Sequence, residues 1–364
     1  MNDRISVATD LMLRFGDRTG LTSHRPSRRY LWTDAFAVCN FLGLARITKD
    51  RSYEGLALRL VDRVHEELGR YRSDDRRRGW LNGLSDAEAR EHPTRGGLRI
   101  GKPLPERAPN EPFDPDLEWD RDGQYFHYLT KWMHALDQVA RATGDARFNL
   151  WARELAEASH RAFVVGPPGA RRMVWKLSAD LSRPLVPSMG QHDPLDGYVA
   201  CKKLEATGAA LGSGAGPGLA AAEADFRRMI DRERLATTDP LGIGGLLTDA
   251  CTLGQVDPRD ELLPWILDAA ARGLRRYLSE SSLLGSAHGR LAFRELGLAI
   301  GLAGAPATRA LHEEIGQFWL RPENRESPTW SEHLDINEVM LATSLAPEGF
   351  LIERARIGDP RDPA

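Results

Sequence analysis

The chain has 364 residues, with 49 Lys and Arg against 52 Asp and Glu, and a formal net charge of −3 at pH 7. This balance provides no basic surface for a nucleic-acid backbone or an acidic membrane, so we expect neither as a partner. Hydrophobic residues make up 41% and charged residues 28% of the sequence, which is typical of a globular protein with a sizeable core.

The N-terminal segment and the cysteines predict a cytoplasmic protein. Residues 1–15 carry several charges and lack the uninterrupted apolar core of a signal peptide. No stretch reaches the ~18 apolar residues of a membrane span. Cys39, Cys201 and Cys251 are widely spaced in apolar helical patterns, which favours buried thiols over disulfides or a metal site. The sequence contains no cofactor or metal motif, and we expect neither group.

Helical periodicity dominates the chain, and the alternating runs typical of strands are nearly absent. Residues 4–15 predict a first helix. Residues 30–47 are apolar on nearly all sides and predict a buried helix. Residues 53–71 carry an apolar stripe with charges between its members, which predicts an amphipathic helix.

This pair of helices recurs along the chain. The pattern Ala-Arg-x-Thr-x-Asp-x-x-aromatic begins at Ala45 and again at Ala140, each time between an apolar and an amphipathic segment. Asp50 and Asp145 are predicted to cap the second helix of each hairpin. A repeated hairpin is typical of a solenoid or a closed toroid.

Further pairs of a buried and an amphipathic helix complete the pattern. They are predicted at residues 193–207 with 219–231, 239–253 with 261–278, and 288–302 with 307–319. The last buried helix, residues 331–345, lacks a partner unless it pairs with residues 4–15. With that closure the sequence predicts an all-α (α/α)6 barrel, formed as one domain by residues 1–352 and followed by a tail at residues 353–364.

Two irregular stretches interrupt the helices. Residues 212–218 are glycine-rich, but no strand precedes them and the Walker lysine is missing, so they predict a hairpin connector. Residues 73–118 are polar, rich in Pro and Gly, and hold Trp80 and Asn82. Loops this long are commonly functional, and we expect this one to lie over the mouth of the barrel.

Polar and aromatic residues concentrate where the predicted inner helices begin. In an inner ring these N-terminal ends all face one side, so their side chains would converge on one cavity. Helix dipoles there favour anionic groups and hydroxyl oxygens. The residues of this rim, in chain order, are Trp32, Asp34, Trp119, Asp120, Gln124, Tyr125, His127, Gln191, His192, Asp193, His288, Arg290, Trp330, Glu332, His333 and Asp335.

Helix capping offers a structural explanation for several rim acids. Asp193 and Asp239 each precede a proline, the pattern of an N-cap followed by Pro at the first helical position. Ser331 could cap the last inner helix while Glu332 complements its dipole. Asp34 lies inside the first turn of a buried helix, where capping explains it less well.

Asp120 and Asp122 compete for one capping position, so one of them is expected to be free. The tryptophans follow the rim as well, since Trp32, Trp119 and Trp330 open inner helices and Trp80 and Trp175 lie in loops leading to it. Flat rings beside acids and amides form a surface for a sugar. The remaining tryptophans have the spacing of core residues: Trp132, Trp151, Trp265 and Trp319.

The hairpin repeat, the Trp-x-Asp at Trp32 and the segment WDRDGQYFHY at residues 119–128 resemble the six-hairpin glycosidase-like superfamily of (α/α)6 barrels. The resemblance covers most of the chain. It implies a sugar site at the N-terminal ends of the inner helices, in agreement with the rim described above.

Glycoside hydrolysis of a small glycoside or oligosaccharide is the leading hypothesis for the reaction. It needs two carboxyl groups across the scissile bond. We expect Asp34 or Asp120 on one side and Glu332 or Asp335 on the other, with His333 as a further catalytic candidate. The expected substrate-binding residues are Trp32, Trp80, Asn82, Trp119, Gln124, Tyr125, His127, Trp175, Gln191, His192, Asp193, His288, Arg290 and Trp330.

Two alternatives remain open. A sugar epimerase or isomerase, similar to the N-acylglucosamine 2-epimerases, would use His192, His288 and His333 as bases and Arg290 or Arg294 to polarise a carbonyl. The fourth inner helix begins with an aspartate and no histidine, which departs from that resemblance. The second alternative is a non-catalytic carbohydrate-binding protein.

Overall fold

The structure is a computed structural model that describes residues 2–280, 283 and 285–352. The predicted tail at residues 353–364 lies outside the described residues. Helices dominate the described chain, and each strand has only two or three residues. The expected scarcity of strands is confirmed.

The long helices follow one another in the order that the sequence pattern predicts, and short helices and strands lie between them. The α-helices are α1 (Asn2–Arg18), α2 (Leu31–Thr48), α3 (Ser52–Leu68), α4 (Asp86–Glu91), α5 (Pro115–Asp120), α6 (Phe126–Thr143), α7 (Ala146–Phe163), α8 (Asp193–Ala210), α9 (Ala220–Met229), α10 (Pro240–Val256), α11 (Leu263–Glu280), α12 (Ala292–Ala303), α13 (Arg309–Leu320), α14 (Pro322–Arg325), α15 (Pro328–Ser331), α16 (Leu334–Leu345) and α17 (Glu348–Leu351). Short 3₁₀ turns are Arg232–Arg234, Ala287–Gly289 and Pro306–Thr308. The strands are β1 (Gln124–Tyr125), β2 (Val164–Val165), β3 (Arg172–Met173), β4 (Lys176–Leu177) and β5 (Pro184–Val186).

The described residues form two compact units. The terminal unit comprises residues 2–25, 39–55 and 231–352, and the central unit comprises residues 26–38 and 56–230. The single domain expected over residues 1–352 stays a prediction.

In the terminal unit, α12 and α16 each bury nine of their twelve residues. The neighbouring α11 buries one stripe that includes Ile266, Ala270 and Tyr277, the pattern of an amphipathic outer helix. Helices α10 and α12 pack backbone against backbone, because a Cβ on Gly244 would overlap the carbonyl of Gly297. Glycine at these positions is therefore a packing requirement.

The first and last long helices of the chain pair within this unit. Arg18 of α1 donates from Nε to Asp335 at 2.6 Å and from its terminal nitrogen to Glu338 at 2.7 Å, both on α16. Arg14 adds an ion pair with Glu338 at 3.4 Å. The predicted pairing of the end helices is confirmed.

In the central unit, α6 buries thirteen of its eighteen residues and forms a hairpin with α7. It ends at Gly144, whose φ of +70° is the left-handed cap that glycine favours. The Asp145 carboxylate then accepts from the backbone N–H of Arg147 at 3.0 Å, and Asp50 accepts from Ser52 at 2.9 Å in the equivalent turn before α3. Capping by both aspartates of the repeat is confirmed.

The core tryptophans agree with prediction except at one position. Trp132, Trp151 and Trp319 are buried, but Trp265 is 46% exposed, so its assignment to the core is wrong. The adjacent Ile266 occupies the buried stripe of α11, which turns Trp265 outward under the guanidinium of Arg232 at 5.5 Å.

The three cysteines are free thiols: Cys39 and Cys201 are buried, and Cys251 is half-buried. Among the described residues, none of the helices has the length and apolar character needed to cross a membrane. The stretch at residues 73–118 is not wholly irregular, because it holds α4, which begins with a capping box between Ser85 and Glu88, and the start of α5.

Candidate active site

Aromatic side chains gather where α2 and α6 of the central unit begin and beside strand β4. We call this cluster, together with the start of the neighbouring helix α8, the central rim. Tyr125 and Trp175 stack with ring centres 5.1 Å apart, and His127 stacks on Trp175 at 6.1 Å. Trp119 lies 6.1 Å from Trp175 and is 50% exposed. Trp119 therefore gives the cluster an exposed aromatic ring, the kind of side chain that stacks against the C–H face of a sugar.

The short sheet explains why these rings meet. Strand β1 pairs antiparallel with β4, with Tyr125 opposite Lys176, so Trp175 lies directly beside the start of α6. Lys176 is fully buried and donates to the backbone carbonyls of Glu118 and Arg121 at 2.8 Å. Gln124 is equally buried, and its amide bonds to three backbone groups. Gln124 was expected to bind substrate, but its amide is instead used in hydrogen bonds to the backbone around the rim.

His127 has a defined protonation state. The indole Nε1–H of Trp175 donates to Nδ1 of His127 at 3.3 Å, so Nδ1 must carry a lone pair. Burial lowers the pKa of His127 to about 4, which keeps the ring neutral near pH 7. The proton of the neutral ring is therefore on Nε2.

Asp193, the first residue of α8, has a carboxyl group with an unusually high pKa. Burial, reinforced by the charge of Asp196, raises the pKa of Asp193 to about 7. Asp193 is 4% exposed and accepts a hydrogen bond from the backbone N–H of Gly190 at 3.1 Å. One turn along the helix, Asp196 pairs with Lys131 of α6 at 3.4 Å. Asp196 and Lys131 act electrostatically on both Asp193 and His127, so these four groups share one environment.

Asp120 and Lys102 lie at the edge of the aromatic cluster. Asp120 is exposed at the last residue of α5, and its charge contributes to raising the pKa of Tyr30 to about 12, an effect caused mainly by burial of the phenol. Lys102 lies 5.5 Å from the Tyr30 ring and 5.2 Å from the Trp119 ring. Burial lowers the pKa of Lys102. These two charged groups are placed to contact a ligand on the rings.

Two other predicted acids are occupied by structural contacts. Asp34 is 1% exposed, pairs with Arg29 at 3.2 Å and accepts from the backbone N–H of Tyr30 at 3.0 Å. Asp122 is equally buried and forms an ion pair with Arg99. It also accepts hydrogen bonds from the backbone N–H groups of Gly101 and Gly123. Asp34 therefore fixes the start of α2. Of Asp120 and Asp122, Asp120 is the one whose side chain makes no hydrogen bond among the described residues.

Several capping predictions need correction. Tyr125, not Asp120 or Asp122, occupies the N-cap of α6. His192 is the N-cap residue of α8, so Asp193 falls inside the helix as its first residue. These shifts occur because the preceding strand and loop set where each helix begins.

In the terminal unit, His333 precedes α16, so the capping assigned to Ser331 is wrong, since that residue ends α15. His288 lies in a 3₁₀ turn before α12 rather than on it. Capping by Asp239 is confirmed, because its carboxylate accepts from the N–H of Gly242 at 3.0 Å.

The acids of the terminal unit are held by arginines. Asp239 pairs with Arg294 at 2.7 Å, and Asp335 pairs with Arg18. The buried Arg290 makes two hydrogen bonds, of 2.8 and 2.6 Å, with Glu295. Three further predicted site residues of this unit, Glu332, His333 and His288, are exposed to solvent.

Three predicted substrate-binding residues are used in packing or turns. Trp80 is 3% exposed, donates from Nε1 to Asp86 at 2.9 Å and lies under the guanidinium of Arg70. Asn82 bonds to two backbone groups of its own loop. Trp330 is 3% exposed and stacks on Trp319.

The central rim therefore brings together seven of the predicted site residues: Trp32, Trp119, Asp120, Tyr125, His127, Trp175 and Asp193. Gln191 and His192 belong to the loop that leads into α8. The sequence reasoning missed Lys102, Lys131 and Asp196. The i, i+3 spacing of Asp193 and Asp196 on one helix face was a signal for the last of these.

No family model and no curated protein matches this chain. A solved structure is similar to it, that of a GH76 alpha-mannanase from Bacteroides thetaiotaomicron. The match has a TM-score of 0.55 and 10% sequence identity, and it covers 88% of this chain and 87% of the mannanase chain. At this identity the likeness shows the fold, and the predicted (α/α)6 class is confirmed.

Proposed function

We propose that the protein is a glycoside hydrolase whose site is the central rim, with Asp193 as the general acid. The observation that carries the proposal is a buried carboxyl with a pKa of about 7, which shares its charged neighbours Asp196 and Lys131 with His127 of the aromatic cluster. A glycosidase acid must be protonated near neutral pH, and burial produces that state here. The fold shared with a GH76 alpha-mannanase supports the same reaction class.

The second carboxyl group is assigned to Asp196. It pairs with Lys131 at 3.4 Å and lies one turn from Asp193, so a carboxyl group bound to a cation and a buried carboxyl group without one lie on one helix face. Asp120, exposed beside Trp119, is the next candidate for this role. The earlier candidates Asp34 and Asp335 are engaged by arginines, and Glu332 belongs to the terminal unit.

The epimerase alternative has weaker support. Both arginines that would polarise a substrate carbonyl are occupied, Arg290 by Glu295 and Arg294 by Asp239. We propose a cytoplasmic location and a small carbohydrate ligand.

The test is incubation of the protein with aryl glycosides, oligosaccharides and free aldoses, with α-mannosides as the first members of the panel. We expect release of reducing ends from a glycoside, with a rate that falls as pH rises through about 7 because Asp193 loses its proton. Asp193→Asn should lower kcat by about 100-fold or more. Glu332→Gln, with its exposed carboxylate, is the matched control and should keep wild-type activity.

Other outcomes would contradict the proposal. Deuterium uptake at C2 of a free sugar without bond cleavage would favour epimerisation. Binding without any reaction would favour the carbohydrate-binding alternative. An Asp193→Asn variant with full activity would move the acid to another residue, with Asp120→Asn and Asp196→Asn as the next variants.

A further inference from the structure

We propose that Trp32 and His127 form a pair of neutral N–H donors that holds one uncharged oxygen of the bound sugar, either a hydroxyl or an acyl carbonyl. The inference rests on the proposed carbohydrate site of the central rim. It does not depend on whether that site cleaves a glycosidic bond.

The first donor is the indole of Trp32. This side chain is 6% exposed, yet its Nε1–H has no acceptor among the described residues. An indole N–H can only donate, and a buried donor without an acceptor loses the hydrogen bond that it makes to water in the unfolded chain. Its surroundings are the rings of Phe36, His127 and Tyr128. A ligand oxygen would supply the missing acceptor.

The second donor is Nε2–H of His127. Because the indole of Trp175 donates to Nδ1, the imidazole proton must lie on Nε2, and the ring cannot accept there. None of the hydrogen bonds between described residues uses His127 Nε2. Trp175 therefore fixes a tautomer that presents a donor to the site.

The rings that carry the two donors are neighbours at the first turns of α2 and α6. Their ring centres are 6.0 Å apart in an edge arrangement, with an angle of 66° between the planes. His127 also lies within the electrostatic environment of Asp196 and Lys131, which act on Asp193 as well. A sugar held by this pair would therefore lie beside the proposed acid.

The charges around the pair select an uncharged acceptor. Both donors are neutral, and the positive charge of Lys131 is matched by the negative charge of Asp196. An anionic group would thus gain no net attraction, and a cation offers no acceptor. Hydroxyl and carbonyl oxygens are the sugar groups that remain.

The tautomer and the ligand contact can be observed directly by NMR on the full chain. Long-range ¹H–¹⁵N correlations should show His127 neutral, protonated on Nε2 and not titrating between pH 5.5 and 8.5. The Trp32 indole signal, identified by its loss in Trp32→Phe, should shift on addition of methyl α-mannoside or methyl N-acetyl-α-glucosaminide. Monodeoxy mannosides then distinguish a hydroxyl acceptor from an acyl carbonyl.

Matched variants separate the donor role from packing. His127→Gln keeps a donor near the Nε2 position, whereas His127→Asn keeps only the acceptor that Trp175 needs. We expect His127→Asn and Trp32→Phe to weaken sugar binding about threefold to tenfold, and His127→Gln to retain it. The same deoxy sugar should lose affinity for wild type but not for His127→Asn.

The proposal is overturned if His127 titrates near pH 6.5, if the Trp32 indole signal is unmoved at saturating sugar, or if His127→Asn binds every sugar as wild type does. Sugar binding without glycoside cleavage would count against hydrolysis alone and would leave this pair in place.

Discussion

Helix α8 of the central unit and helices α10 and α12 of the terminal unit begin with similar residue types but treat their acids in opposite ways. At α10 and α12, arginines hold the acids: Asp239 pairs with Arg294 and Glu295 pairs with Arg290. In the central unit, Asp193 is buried and takes part in no ion pair among the described residues. Its stabilising contact is the backbone N–H of Gly190.

This difference indicates where chemistry is available. An acid paired with arginine stays ionised and has its lone pairs occupied, so it stabilises structure. A buried acid without a cation of its own destabilises the fold when it ionises, and such a cost is typical of functional sites. The predictions below test whether the two regions are specialised in this way.

The largest effect is expected at the buried Arg290–Glu295 pair. Arg290→Met should destabilise the protein by about 3–5 kcal/mol, because Glu295 would remain buried without its counter-charge. Urea unfolding measures the loss, and activity per folded molecule should be unchanged. Adding Glu295→Gln should recover much of the stability. Loss of activity in the folded single variant would show that this pair belongs to the reaction.

The next effect is a pH dependence of stability set by Asp193. Its pKa is raised from 3.8 to about 7 on folding, so the native state binds more protons than the unfolded state between these values. Below pH 4 the carboxyl is protonated in both states and costs the native state nothing. As pH rises to about 7, the free energy of unfolding falls, because only the unfolded state can ionise the group freely. Asp193→Asn should therefore be more stable than wild type at pH 8, by a few kcal/mol. Equal stability of both proteins at pH 8 would contradict the burial-raised pKa.

A smaller effect on activity is expected at Gly190. A Cβ there would lie 2.6 Å from the carboxyl carbon of Asp193, so Gly190→Ala must displace the acid or its loop. We expect kcat to fall by about tenfold to a hundredfold, because misplacing a catalytic group is costly. Gly289→Ala is the matched control before α12, where a Cβ meets no atom within 4 Å, and should be neutral. Equal activities of the two variants would argue against Asp193 as the acid.

The sequence singled out residues of the proposed site more readily than it revealed their chemistry. Trp32, Tyr125, His127 and Asp193 were all identified from their position at helix starts. Asp34 was identified in the same way, but its proximity to Arg29 depends on how the chain turns before α2. Local spacing cannot reveal such a partner, because an ion pair is set by three-dimensional contact.

Other residues were assigned to substrate binding but are used in the packing of the protein. Trp80 and Gln124 are residue types that commonly bind sugars, yet each is buried and makes hydrogen bonds within the protein. Both lie in or beside short strands and loops, where the sequence carries no periodic signal. Their roles therefore became visible only with the structure.

The sequence by itself determined the long helices, their alternation of buried and amphipathic faces and the caps of the repeated hairpin. These features depend on local periodicity and hydrogen bonding, which the order of residues encodes directly. Tertiary structure alone decided which acids meet an arginine, which indole orients His127, and which carboxyl is buried without a counter-charge. Some of these contacts join residues far apart in the chain, such as Asp239 with Arg294 and Trp175 with His127. Others, such as Arg29 with Asp34, depend on how the chain turns between two nearby residues. The same amino acid can therefore serve stability in one place and chemistry in another.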